Sequence, residues 1–92
     1  MDTELSNTLD TIANEEGVQG VLVVDKAGLC LGVRGNASKF FAPFVASIAS
    51  SAVNIQQMDD ESKIEYPTIT VEFNDKKIVV RPQETCTVAV FV

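Results

Sequence analysis

The residues whose types and spacing come closest to chemistry lie between Gly28 and Ser38, in the run GLCLGVRGNAS. Three glycines, an arginine and a serine follow an apolar stretch and precede a helix-like segment. Such a composition could cradle a phosphate on backbone N–H groups, or it could simply turn the chain. The glycine spacing, GxxxGxxG, favours the turn. A Walker loop needs Lys-Ser/Thr directly after its last glycine, and a dinucleotide fingerprint needs GxGxxG between the strand and helix of a parallel unit. Here Gly35 is followed by Asn36 and Ala37. The segment therefore reads as a hairpin closed by Gly28 and a bend at Gly35 that leads towards a helix.

Other candidate groups fare no better. The acidic run Asp59, Asp60, Glu61 invites a metal loop or an acid/base pair, but the calcium pattern of alternating acids around a glycine is missing, so a solvated loop is expected. Cys30 and Cys86 sit in apolar stretches without CxxC spacing, and the chain has no histidine. They read as reduced core thiols, not as zinc ligands or nucleophiles. No serine stands in a nucleophile-elbow context. Asp25 or Glu72 could act as an acid or base only in a deep pocket that raised its pKa. Asn36-Ala37-Ser38 matches a glycosylation sequon, which is common by chance and idle without secretion. Catalytic residues, cofactors and metals are all expected to be none.

Charge narrows the partners. Thirteen acidic residues against seven basic ones give a net charge of −6, a surface that nucleic acid and anionic lipid both repel. No apolar run reaches the 18 or so residues of a spanning helix, and neither end carries a leader or lipidation signal. The expectation is a cytoplasmic chain without direct membrane insertion. Yet 46% of the residues are apolar, while a 92-residue domain buries only about two-thirds of its unfolded surface. Leftover apolar surface marks a partner site.

The elements that position these residues follow from periodicity. One domain, residues 1–92, should hold two helices and five strands. Leu5, Leu9 and Ile12 make a narrow stripe on a first helix that Gly17 stops, with Glu15 and Glu16 set against its C-terminal dipole. Val18 to Asp25 is apolar at both parities and so buried on both sides. Leu29 to Arg34 returns beside it. A second helix starts near Ala42, because Pro43 is cheap only in a first turn, and runs to Gln57. Phe41, Phe44, Val45, Ile48, Ala52 and Ile55 form its main stripe, which Ala46, Ala49 and Val53 widen to an arc of roughly 200°, more than one sheet needs. Tyr66 to Phe73 alternates, with Ile69, Val71 and Phe73 on one face and Thr68 and Thr70 on the other. Pro67 near its start marks a rim strand. Lys77 to Pro82 and the two-sided Thr85 to Val92 complete the set. The fold class is α+β, αββαβββ, a five-stranded antiparallel sheet with one helix on each face.

This order, together with Gly20-Val21-Leu22, Asp25, Gly28-Leu29, Leu31-Gly32, Arg34-Gly35 and the closing Thr87 to Val90, resembles the roadblock/dynein light-chain superfamily, profilin-like in architecture. The lack of a helix after the last strand resembles its short Ragulator branch. The resemblance implies a non-enzymatic scaffold that pairs with another roadblock-fold subunit as a heterodimer. A lipid-anchored Ragulator subunit would hold it peripherally at the late endosome or lysosome, where it would serve Rag GTPases in amino-acid signalling to the target-of-rapamycin kinase. A self-dimer in isolation is allowed. The implied partner interface is Ala46, Ala49 and Val53 on the helix with Tyr66, Thr68, Ile69, Thr70, Val71 and Phe73 on the rim strand. The alternative is a homodimeric roadblock regulator acting on a small GTPase.

Overall fold

The computed structural model describes residues 3–59 and 66–92. Helix α1 spans Thr3–Ala13, strands β1 and β2 span Gly20–Asp25 and Cys30–Gly35, and helix α2 spans Ala42–Asp59. Strands β3, β4 and β5 span Ile69–Glu72, Lys77–Pro82 and Cys86–Phe91. All neighbouring strands are antiparallel, in the order β2-β1-β5-β4-β3. The two strands that are apolar at both parities, β1 and β5, are thus inside the sheet, and β3 is at a rim, as their patterns predict.

Two cores result, one on each face. Leu22, Val24, Val80 and Ala89 pack under Ala42, Val45 and Ala49 of α2. Val21 and Val23 pack under Leu9 of α1, with Leu5 and Ile12 half-buried beside it. A bulge between Val23 and Val24 skips Leu31 in the β1–β2 ladder. Arg34 ties α1 to the sheet: its Nε donates to Asp10 Oδ1 at 2.8 Å and its Nη2 to Ser6 Oγ at 3.0 Å.

The β1–β2 hairpin closes as expected. Gly28 adopts a φ of 89°, and Asp25 Oδ1 accepts from the backbone N–H groups of Ala27 and Leu29, both at 2.9 Å. Asp25→Ala leaves both donors to water and is expected to cost about 1–2 kcal/mol. A thermal melt should register a drop of roughly 5–10 °C; an unchanged midpoint would mean that the glycine alone sets the turn.

Strands β1, β2 and β5 differ from expectation by one or two residues at their ends, and three further boundaries differ for identifiable reasons. Helix α1 ends at Ala13, so Glu15 and Glu16 fall in the turn that Gly17 closes at φ 86° instead of in a final helical turn. Helix α2 runs on to Asp59, past Gln57, into the acidic segment; the expected loop at Asp60 and Glu61 lies outside the described residues. Strand β3 is four residues long instead of eight. Its register with β4, Ile69 opposite Val80, would set Pro67 opposite Pro82, and two residues without N–H cannot extend a ladder.

Candidate functional site

The face that α2 turns to the sheet is not the one its bulk suggests. Ala42, Val45 and Ala49 are the residues in contact with the core, and Ala49 is 5% exposed. Small side chains let the helix axis approach the sheet closely, so the large ones stand off to one side. Phe44 is 67% exposed and Ile55 68%. Phe44, Ile48, Ser51 and Ile55 fall within a narrow arc at 100° per residue, a row that is apolar except for one hydroxyl.

Between this row and the sheet lies a groove of about 280 Å³ with entirely apolar walls, formed by Phe41, Phe44 and Ile48 on one side and Val71, Phe73 and Phe91 on the other. Phe41 and Phe91 stack at its end, ring centroids 5.9 Å apart and planes 25° from parallel. Phe41 is placed by a single 3₁₀ turn, Lys39–Phe41, whose cap Ser38 accepts from Phe40 N–H. That turn is where the glycine-bearing run ends. Its work is to deliver an aromatic side chain to the mouth of the groove.

The groove opens beside β3, which ends the sheet and has β4 as its one strand neighbour among the described residues. Its outward backbone groups are free to pair with another strand. Half-buried Ile69 and Val71 face the α2 side, while Thr68 and Thr70 are exposed on the other. An open strand edge next to a greasy helix row can extend a sheet and bury a helix in one docking event.

The residues expected at a partner interface divide into three groups. Ile69, Val71 and Phe73 lie at or beside the groove, with Thr70 on the same rim strand and Thr68 just before it. Ala49 is almost wholly buried beneath its own helix and shows its remaining surface only to the second concavity, away from the groove. Ala46 and Val53 line a different concavity, about 210 Å³, on the opposite shoulder of α2 with Asp25, Lys26, Asn54 and Thr87. Tyr66 also stands away from the groove, its ring 5.9 Å from Lys26 Nζ. Phe44, Ile48 and Ile55 belong to the main apolar stripe read from the sequence, yet they stand outside the core. The alanines at 42, 46 and 49 were the signal for the true contact line, because only small residues fit where helix and sheet are nearest.

No cluster of three His, Cys, Asp or Glu that could hold a metal occurs among the described residues, and no described helix is long and apolar enough to cross a membrane. Cys30 and Cys86 flank the end of β1 on opposite faces, opposite Val24 and Asp25 respectively.

Comparison with known proteins agrees with the fold and narrows it. The family model described as Ragulator complex protein LAMTOR5 matches residues 1–92. A Ragulator complex protein LAMTOR5 homolog of Dictyostelium discoideum is 31% identical over 80 residues, 83% of this chain and 90% of that one. Among solved structures, Myxococcus xanthus MglB superposes with a TM-score of 0.81 at 15% identity, over 97% of this chain and 75% of that chain. A Roadblock/LC7 domain from Streptomyces avermitilis does so with a TM-score of 0.75 at 13% identity, over 94% and 72%. At those identities the likeness is one of fold, and the fold is that of the roadblock domains.

Proposed function

For a chain that belongs to the Ragulator complex protein LAMTOR5 family, we propose the role of a non-enzymatic scaffold subunit that pairs with a second roadblock-fold subunit through α2 and β3. In this reading the pair joins two five-stranded sheets edge to edge and packs the two α2 helices over the seam. A lipid-anchored subunit then holds the assembly at the late endosomal or lysosomal surface, where it recruits Rag GTPases for amino-acid signalling to the target-of-rapamycin kinase.

The observation that carries the pairing is the apolar groove beside the open edge of β3. With net charge −6 and no helix suited to crossing a bilayer among those described, a membrane address borrowed from a partner is the economical account. Ala46 and Val53, on the far shoulder of α2, remain candidates for contact with a further subunit.

Mass measurement in solution tests the reading. The isolated chain should run as a monomer or weak dimer and form a one-to-one complex with a second roadblock subunit. A stable homodimer of about twice 9.9 kDa that ignores such a subunit would favour the alternative, a homodimeric regulator acting on a small GTPase. Recruitment is tested separately, by asking whether the complex retains a Rag GTPase pair on vesicles bearing the anchored subunit.

A further inference from the structure

One end of the α2–β3 groove is cationic. The stacked rings of Phe41 and Phe91 mark that end. In strand register Phe91 lies opposite Ile78, and Ile78 opposite Val71, so the turn at 74–76 that joins β3 to β4 stands at the same end of the sheet. Lys76 in that turn sets its Nζ 5.2 Å from the centroid of the Phe73 ring. On the helix side, Lys39 opens the 3₁₀ turn that delivers Phe41, and its Nζ lies 5.8 Å from the Phe40 ring. Both lysines are exposed. Neither enters an ion pair among the described residues, although Asp75 is the sequence neighbour of Lys76. The other placed cations near structured elements are engaged: Arg34 with Asp10, and Lys26 with the Gln83 carbonyl.

Two ammonium groups resting on aromatic rings beside an apolar groove, in a chain of net charge −6, are an uncompensated local field that a carboxylate would answer. The pairing proposed above fixes where that carboxylate must sit. Two like sheets joined β3 to β3, with both α2 helices on one side, are related by a two-fold or near two-fold axis normal to the sheet. Such an axis sets the two β3 strands antiparallel and the two α2 helices antiparallel. The start of α2 in this chain, with Lys39 just before it, therefore lies beside the end of the partner's second helix. Lys76, just past the end of β3, lies beside the partner's entry into its own rim strand.

We propose that Lys39 and Lys76 select the partner at the groove: it is a subunit with carboxylates at the end of its second helix and at the entry to its rim strand, opposite these two lysines. The inference rests on pairing through α2 and β3 and adds to it a charge requirement at one end. The apolar groove supplies adhesion, and the lysines supply orientation and choice of mate. The net charge of the chain repels an acidic segment at long range, so a preference for one reports the local pair of lysines.

The test uses the full chain, ¹⁵N-labelled, and three synthetic helical peptides of about 18 residues that share one leucine row. The first carries glutamates in its last turn, the second lysines in its last turn, and the third glutamates in its first turn. The first is expected to shift the amide signals of Phe41, Phe44 and Phe73 and to bind about tenfold more tightly than the second, although the helix dipole favours the second as a free helix. The advantage should shrink in high salt. The double variant Lys39→Glu, Lys76→Glu, with an unchanged circular dichroism spectrum, should reverse the preference. The proposal is overturned if the first two peptides bind alike, if the third binds as tightly as the first, or if the double variant keeps the original order. Phe44→Glu separates the two levels: if it abolishes binding of peptides that show no charge preference, the groove reading stands and the role of the lysines falls. If no peptide binds, or Phe44→Glu weakens none, both fall together.

Discussion

Phe44→Glu should leave the chain folded and strip it of its roadblock partner. Phe44 is 67% exposed in the single chain, so a carboxylate there is solvated and the thermal midpoint should barely move. In the paired state the same carboxylate would be closed into a groove with no polar wall. An unpaired charge so placed costs about 2–5 kcal/mol of association, a loss of roughly thirtyfold to several thousandfold in affinity. Ile55→Glu, on the same row, should act in the same direction. Val53→Glu, on the far shoulder of α2, is the informative control. If light scattering found pairing intact in Phe44→Glu and lost in Val53→Glu, the partner would sit over the second concavity and the assignment of the groove would be wrong.

Gly35→Ala is expected to damage the fold itself. Gly35 has a φ of 66°, a region that costs a residue with a side chain about 1 kcal/mol or more. An added Cβ would also come within 2.4 Å of the Gln19 carbonyl oxygen and 3.0 Å of Gly20 Cα. That oxygen accepts the Asn36 N–H at 2.9 Å, so the collision falls on the hydrogen bond closing the end of the β1–β2 ladder. The combined expectation is about 2–4 kcal/mol, or a midpoint lowered by roughly 10–25 °C. Gly17 separates the two contributions: its φ is 86° but nothing lies within 4 Å of an added Cβ, so Gly17→Ala should show the backbone cost alone. Equal losses at the two sites would show that the steric contribution is negligible.

These two substitutions also mark where the sequence is legible and where it is not. The sheet was readable because β1 and β5 are apolar at both parities, a pattern only a strand covered on two sides tolerates. The Asp25–Gly28 turn was readable because positive φ singles out glycine and because Asp25 can bond its own following N–H groups. The orientation of α2 was not readable from hydrophobicity, since both sides of the helix are apolar and periodicity cannot rank them. Size can: alanine at 42, 46 and 49 packs where the helix nearly touches the sheet, and phenylalanine at 44 cannot. The length of β3 depended on register, because Pro67 is harmless in a rim strand until Pro82 stands opposite.

Helix α2 and strand β3 are consecutive along the chain, while the sheet centre is assembled from β1 and β5, at nearly opposite ends of the sequence. In the proposed pairing most of the contacting surface comes from one run of the chain, Phe41 to Phe73, with Phe91 of the last strand completing the groove. Changes of mate are expected to concentrate on the exposed side chains of that run, while Ala42, Val45 and Ala49 within it stay tied to the platform.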